Sequence, residues 1–514
     1  MHKNQSEFSR YHYFLKKFSH QGEPVFAGHL LARSAQEYPH RPALHLADHT
    51  ISYAELFRQS LCVSRALHKL GITRKSRVIL LIDNSAFFYQ SYYGAWQLGT
   101  VVIPLNVFLK TEEIVHIIAD AQPDIIIVAE SLKSKIEGIE NPPKILHEHD
   151  LTDLASSPHS SPAEDASSIL ATLTPDETAV ILYTSGTTGF PKGVMLSSRV
   201  IISNICQLLA RLRFIPDEKI LCPLPLFHSF TQITCVWGAI AVGVSVIVIP
   251  KITRSALVEG IQQQPTIVLG IPGLYAILCK LKNISFPNVR YFVSGGEPLT
   301  TNIRRFFALR FGRTLVNGYG LTESGPVIAA DLQDYHKPTH TIGQPLIDIK
   351  CDIRNPDEQG IGTLWVSGPN LMLGYFNAPE ATATVLHNGW LNTGDMATMQ
   401  PDGTLVIGGR EKDIIIQKGI KIYPQEIETA LCTHHDVVLA AVIGVPYQNE
   451  GEFPVAYVQL IEDSTATPEE LREHCQQRLA VYKIPRQVYI KSRLPMTATG
   501  KVNKKQLTTK TEHE

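Results

Sequence analysis

A chain of 514 residues exceeds one ordinary hydrophobic core, so its length alone calls for a large body and at least one further domain. With 44% apolar and 18% charged residues the composition is globular and excludes extensive disorder. A net charge of -1 carries no basic excess, which argues against nucleic acid as a partner.

The N-terminal stretch Met1-His2-Lys3-Asn4-Gln5-Ser6-Glu7 has no apolar run and no small-residue cleavage site, so secretion is not expected and a cytoplasmic protein is. The eight cysteines, Cys62, Cys206, Cys222, Cys235, Cys279, Cys351, Cys432 and Cys475, show neither metal-ligand spacing nor a dense framework and read as reduced thiols. An aromatic and basic run over residues 11–18 permits peripheral contact at the inner face of a membrane. From 51 to 128, helical patterns alternate with apolar runs at 78–82, 101–105 and 125–128, which predicts parallel strands joined by crossover helices.

A Ser-, Asp- and Pro-rich stretch over 151–168 reads as a surface connection, and a second α/β section runs to about Gly318. Within it, residues 233–250 carry no charge and nearly reach the length of a membrane span. Gly238 and Gly243 interrupt the run, so it reads as a buried helix, a glycine turn and a core strand over 244–249, with a span as the lesser alternative. Past 342, short strands with glycine turns, as in 362–368, predict a mostly β region ending near Gly409. The last hundred or so residues mix strand (437–445) and helix (468–479) and suit a small domain. No internal repeat is present.

The densest chemistry lies in Tyr183-Thr184-Ser185-Gly186-Thr187-Thr188-Gly189-Phe190-Pro191-Lys192-Gly193. Hydroxyls, backbone N–H groups freed by glycine and one ammonium together suit a polyphosphate. This is not a Walker loop: 194–196 reads as a second strand, and the amphipathic helix with Ile201, Ile205, Leu208 and Leu212 on one face begins only afterwards. A flexible surface turn is the bland alternative, weakened by four hydroxyls, three glycines and a lysine in one place.

Five further segments follow in order. They are Ser294-Gly295-Gly296-Glu297-Pro298-Leu299, Asn317-Gly318-Tyr319-Gly320-Leu321-Thr322-Glu323-Ser324, Gly389-Trp390-Leu391-Asn392-Thr393-Gly394-Asp395, Gly409-Arg410-Glu411-Lys412-Asp413 and the C-terminal Thr499-Gly500-Lys501. With the first loop, this series resembles the adenylate-forming superfamily of acyl-CoA synthetases, luciferases and peptide-synthetase adenylation domains, from about residue 51 to the end.

The resemblance implies an α/β protein: an N-terminal body of two α/β subdomains and a small β subdomain (1–411), then a small mobile α+β C-terminal domain (412–514) hinged at Lys412. It implies ATP and Mg²⁺, with Thr184, Ser185, Gly186, Thr187, Thr188 and Lys192 on the phosphates. Gly296, Glu297, Pro298, Asn317, Gly318, Tyr319 and Gly320 would lie about the adenine, with Tyr319 offering a π face. Asp395 would accept from the ribose hydroxyls and Arg410 donate nearby. Thr322 would touch phosphate, Glu323 would hold the metal, and Lys501 would bridge the acyl carboxylate and the α-phosphate. Taken singly, Tyr319 could equally be core, Asp395 a turn carboxylate and Lys501 a solvated charge.

Pro223-Leu224-Pro225-Leu226-Phe227-His228-Ser229-Phe230 resembles the acyl-side motif of fatty acyl synthetases. It puts His228, Phe230, Gly295 and Gly320 at the substrate, and Gly270-Ile271-Pro272-Gly273-Leu274-Tyr275 resembles a pocket segment of that branch. The expected activity is activation of a fatty acid to acyl-AMP with release of pyrophosphate, then transfer to the thiol of coenzyme A or of a phosphopantetheinylated acyl carrier protein. Ligation of an aryl or other carboxylic acid, or nucleotide and acyl binding without turnover, stand as alternatives. Two positions depart from common patterns of the family: Ser197-Ser198 stands where many members have Ser-His, and Ile416 where luciferases place a lysine.

Overall fold

Two helix starts in the first hundred residues are fixed by a hydroxyl side chain one residue ahead of the first turn. Ser52 Oγ accepts from the N–H of Glu55 at 3.2 Å and Ser85 Oγ from that of Phe88 at 3.2 Å, satisfying donors a helix end leaves open. This computed structural model describes residues 2–155, 173–184, 191–332, 341–417, 420–446, 451–496 and 502–507. The expected surface connection over 151–168 falls largely outside them.

The chain opens with α1 (His2–Lys17) and an antiparallel pair, β1 (Pro42–His45) and β2 (Thr50–Ser52). Then come α2 (Tyr53–Lys69), β3 (Arg77–Leu81), α3 (Ala86–Gln97), β4 (Val101–Pro104), α4 (Thr111–Ala121), β5 (Ile125–Val128) and β6 (Lys144–His147). β3 to β6 pair in parallel; β3, β4 and β5 are buried almost throughout, as strands covered by helices on both faces must be, while β6 at the sheet edge buries only Leu146. β7 (Thr178–Thr184) joins β4 in parallel, and β8 (Lys192–Ser197) returns antiparallel to it, so these two strands flank the glycine- and hydroxyl-rich loop. α5 (Ser198–Leu212) follows, capped by Ser197 Oγ.

A second sheet is built from β9 (Lys219–Cys222), β10 (Ser245–Val248), β11 (Ile267–Gly270), β12 (Tyr291–Ser294) and β13 (Leu315–Gly320), all parallel. Its helices α6 (Arg254–Gln262), α7 (Pro272–Lys280) and α8 (Thr301–Phe311) cover one face, burying Leu257, Leu274, Leu278, Ile303 and Phe307 in a common core. β1 pairs in parallel with β10, so the segment just before α2 belongs to this second sheet, not to the first unit that its position in sequence suggests.

The uncharged stretch is a buried π-helix (Gln232–Gly238), a short helix (Ala239–Val242), a turn at Gly243 with φ 75° and then β10. A π-helix leaves backbone carbonyls without their usual partners, and tyrosines of α3 supply them: Tyr89 Oη donates to Cys235 O at 3.4 Å and Tyr93 Oη to Val236 O at 2.6 Å. Among the described residues no helix is long and apolar enough to cross a membrane.

Beyond β13 the strands are antiparallel: β14 (Val327–Asp331), β15 (Thr341–Pro345), β16 (Lys350–Arg354), β17 (Gly362–Ser367), the two-residue β18 (Gly374–Tyr375), β19 (Trp390–Met399) and β20 (Leu405–Arg410). β18 extends the first sheet at β8. The others continue the second sheet without a break, in the order β16-β17-β19-β20-β15-β14-β13, so the region read as a small β subdomain shares its hydrogen-bond ladder with the α/β unit.

After Arg410 the ladders are separate. β21 (Ile415–Gln417) pairs with β22 (Ile420–Ile422), and α9 (Pro424–Leu431), β23 (Val437–Pro446), β24 (Glu452–Leu460), α10 (Pro468–Gln476) and β25 (Gln487–Ile490) enclose their own core of Ile427, Leu431, Val442, Ala456 and Leu471. Asn302 of α8 meets this unit, its Nδ2 donating to the carbonyls of His434 at 3.0 Å and Val437 at 3.1 Å.

Candidate active site

Strands of the second sheet carry a run of glycines and polar residues where they end, which lets loops approach one another closely. A methyl on Gly295 would stand 3.4 Å from the ring of Phe230 and 3.6 Å from the carbonyl of Gly318, while one on Gly320 would collide with the carbonyl of Pro326. Gly296 takes a φ of 81°, a conformation glycine adopts freely. Glu297 is half-buried and Pro298 exposed beside it. Asn317 is buried and donates to Thr341 O at 3.0 Å, tying β13 to β15.

Tyr319, at the end of β13, donates to Asp395 Oδ2 at 2.5 Å, and the other carboxylate oxygen lies 2.8 Å from Arg410 Nε. Asp395 and Arg410 are direct partners across the β19–β20 ladder. The turn that presents Asp395 is built locally: Asn392 Oδ1 accepts from Gly394 N–H at 2.9 Å, and Thr393 Oγ1 accepts from Asp395 N–H at 3.1 Å while donating to Leu364 O at 2.7 Å. Burial, then the Asp395 carboxylate, raises the Tyr319 phenol well above its ordinary pKa, so it stays a neutral donor.

A second group forms after β13. Thr322 Oγ1 donates to Ser229 Oγ at 3.0 Å, and Glu323 Oε1 accepts from Tyr375 Oη at 2.9 Å. Burial, then Glu323, raises the Tyr375 phenol. The Lys192 ammonium lies 5.4 Å from the centre of the Tyr375 ring, and Lys192 pairs with Thr184 across the β7–β8 ladder. Ser324 fixes the turn, its Oγ accepting from Leu321 N–H at 3.1 Å and donating to Pro326 O at 2.9 Å.

On the acyl side, His228 caps the short helix Ser229–Thr231, its Nδ1 accepting from Phe230 N–H at 3.3 Å. Asn84 pins the preceding segment, donating to Leu224 O at 2.9 Å and accepting from Leu226 N–H at 2.8 Å.

These contacts string the expected residues into one continuous line. It runs from Lys192 through Tyr375, Glu323, Thr322 and Ser229 to Phe230, then through Gly295 and Gly318 to Tyr319, Asp395 and Arg410. Sequence reasoning missed Tyr375 as the partner of Glu323: it sits in a two-residue strand, too short for any periodic signal. It left Ser197-Ser198 without a function; Ser197 caps α5, and Ser198 Oγ accepts from Ala27 N–H at 3.1 Å, so both hydroxyls are structural.

Ser185, Gly186, Thr187, Thr188 and Lys501 lie outside the described residues. Around Lys501, Met496 bridges to Val502, and Lys504 Nζ is 2.6 Å from Glu428 and 4.0 Å from Asp413. Lys412 lies in a single 3₁₀ turn, Glu411–Asp413; partial desolvation lowers its ammonium pKa, Asp413 opposes this, and the charges of Arg410, Lys505 and Lys504 add to the lowering.

Among the described residues no three His, Cys, Asp or Glu side chains gather into a metal site. The lone Glu323 carboxylate, held in place by Tyr375, fits a hard cation that takes most of its ligands from phosphate and water oxygens, as Mg²⁺ does.

Loops from two sheets thus bring a fixed carboxylate, Asp395, into one line with the cations Arg410 and Lys192. Residues 31–376 match the AMP-binding enzyme family and residues 426–501 match the AMP-binding enzyme C-terminal domain, and the chain belongs to that family. Its chemistry is that of the adenylate-forming acyl- and aryl-CoA ligases. It is 30% identical to a long-chain-fatty-acid–CoA ligase of Bacillus subtilis, covering 93% of both chains. It is equally 30% identical to a feruloyl-CoA synthase of an Amycolatopsis species, over 92% of this chain and 96% of the other. The structure superposes on the o-succinylbenzoate coenzyme A synthetase of Bacillus subtilis in complex with ATP and magnesium ion with a TM-score of 0.83, at 28% identity, covering 93% of this chain and 98% of that one.

Proposed function

We propose that this chain activates a fatty acid with MgATP, releasing pyrophosphate, and passes the acyl group to the thiol of coenzyme A. The observation that carries the reading is the line of contacts from Lys192 through Glu323 and Thr322 to Tyr319, Asp395 and Arg410. Asp395 would accept from the ribose hydroxyls, and Tyr319 would offer its face to adenine. Thr322, Lys192 and Thr184 would contact the phosphates, as would Ser185, Gly186, Thr187 and Thr188 by the resemblance of their motif.

Glu323 would hold Mg²⁺, which supplies charge neutralisation on the phosphate oxygens when bound. A relative's complex with ATP and magnesium ion supports the use of Mg²⁺. The substrate carboxylate attacks the α-phosphorus in line, the bond to pyrophosphate breaks, and Lys501 offsets the charge that develops. Residues 1–411 act as the body and 412–514 as a unit that turns about Lys412 to withdraw Lys501 before thiol attack. His228 and Phe230 would flank the acyl carboxyl beside Gly295 and Gly320.

An aryl acid is the second reading, favoured by equal identity to the feruloyl-CoA synthase. Pyrophosphate and AMP release across fatty and aryl acids, with coenzyme A or a phosphopantetheinylated carrier protein as acceptor, separates the readings. Formation of ADP and phosphate, or no turnover with any acid, would refute the proposal.

A further inference from the structure

The outer face of α7 and α8 plays no part in the site, yet its charge is strongly lopsided. Between Pro272 and Thr314 the sequence carries seven lysines and arginines against one acid, Glu297, in a protein whose net charge is -1. The inward sides of these helices bury Leu278 and Phe307. Their outward sides present Ile277 (46% exposed), Phe306 (44%) and Leu309 (74%), with Lys280, Arg305 and Arg310 exposed among them.

The charge continues past the helix ends. Arg310 donates to Leu281 O at 3.4 Å, Arg313 to Arg290 O at 3.4 Å, and Arg290 to Arg213 O at 3.0 Å, so these cations follow one another along an edge that also exposes Ile215. The acids on this edge are already paired: Glu218 is buried against Arg290 at 2.8 Å, and Asp217 meets Arg41 at 2.9 Å.

The place of this belt limits what can dock on it. Arg290 and Arg313 lie just before β12 and β13, whereas Gly295 to Pro298 and Tyr319 follow or end those strands. A four-residue strand separates the two edges by about 13 Å. A carrier protein that must deliver its thiol to the site is poorly served from the far edge. A flat surface that only tethers the enzyme is well served there. Aliphatic tips interleaved with Lys and Arg match an anionic bilayer, whose headgroups take the cations while its acyl boundary takes the tips.

We propose that the α7–α8 face, with the adjoining Arg213–Arg290 edge, docks this enzyme peripherally on an anionic lipid membrane. The inference does not depend on which acid is activated. Full-length protein is floated with vesicles of phosphatidylcholine alone and with added phosphatidylserine. The expected result is flotation only with the anionic vesicles, weakened by salt, and reduced at least about tenfold by Arg305→Glu with Arg310→Glu. Leu309→Ser should weaken it severalfold. Each variant should keep its pyrophosphate release with a water-soluble acid, which separates lost docking from lost fold. Absence of flotation, equal flotation of all variants, or capture of an acidic carrier protein through Arg305 and Arg310 without vesicle binding would overturn the proposal.

Discussion

The carboxylate of Asp395 is shared between the Tyr319 hydroxyl at 2.5 Å and the Arg410 guanidinium at 2.8 Å, so one acid joins three strands. Asp395→Asn removes the charge that both donors serve. A hydrogen bond to a charged group is worth about 1.5–3 kcal/mol, so the KM for ATP should rise roughly ten- to a hundredfold in initial-rate assays of AMP formation. Tyr319→Phe, which keeps the ring, should cost only severalfold. An unchanged KM in Asp395→Asn would remove Asp395 from the nucleotide site.

Glu323→Gln should shift the Mg²⁺ concentration for half-maximal rate upward by about tenfold or more, because a hard cation loses its one protein carboxylate. Tyr375→Phe should produce a smaller shift in the same direction, since it only frees the carboxylate to rotate. If Glu323→Gln loses rate at every Mg²⁺ concentration with the midpoint unmoved, Glu323 does not bind the metal.

Gly320 and Gly295 should respond oppositely to alanine. At Gly320 the new methyl meets the Pro326 backbone, which cannot yield cheaply, and destabilisation of roughly 1–3 kcal/mol or more is expected in thermal unfolding. At Gly295 it reaches ordinary contact with Phe230, so the melting temperature should hold while acid preference shifts toward smaller substrates. Equal stability of the two variants would contradict the geometry.

The unit that meets Asn302 should weaken in acid. His434 and His474 are held below the ordinary histidine value of 6.5, mainly by burial, with His435 and Arg478 adding to the effect and Asp436 and Glu470 opposing it at His434. The unfolded chain therefore takes up protons first as pH falls. Their stabilising contribution is complete above the unfolded value and is lost below it. The melting temperature should fall between about pH 7.5 and about pH 5.5, and His474→Gln should flatten that slope. A slope identical in the variant would assign the acid sensitivity elsewhere.

Lys501→Ala should slow acyl-AMP formation by at least about a hundredfold and leave thioester formation from supplied acyl-AMP nearly intact. Equal slowing of both half-reactions would show that the lysine serves more than adenylation.

Much of this was legible from the chain because strands buried on both faces are continuous apolar runs. Residues 78–81, 125–128 and 245–248 announce themselves in that way, and Asp395 and Arg410 stand in motifs recognisable through their order in the series rather than singly. Pairings across long separations were not legible. Nothing local tells β1 to join β10, or places Tyr375 over Lys192, since both depend on how two sheets close. The same holds for Ser197 and Ser198, whose partners are a helix start and a distant backbone amide.

The unbroken ladder from β13 through β14, β15 and β20 to β19 has a mechanical consequence. Tyr319 and Asp395 ride on one plate, so on the proposed reading a swing of the carboxy-terminal unit need not open a grip on the nucleoside. An intermediate could stay clamped by its base and sugar while the machinery around its reactive end is exchanged.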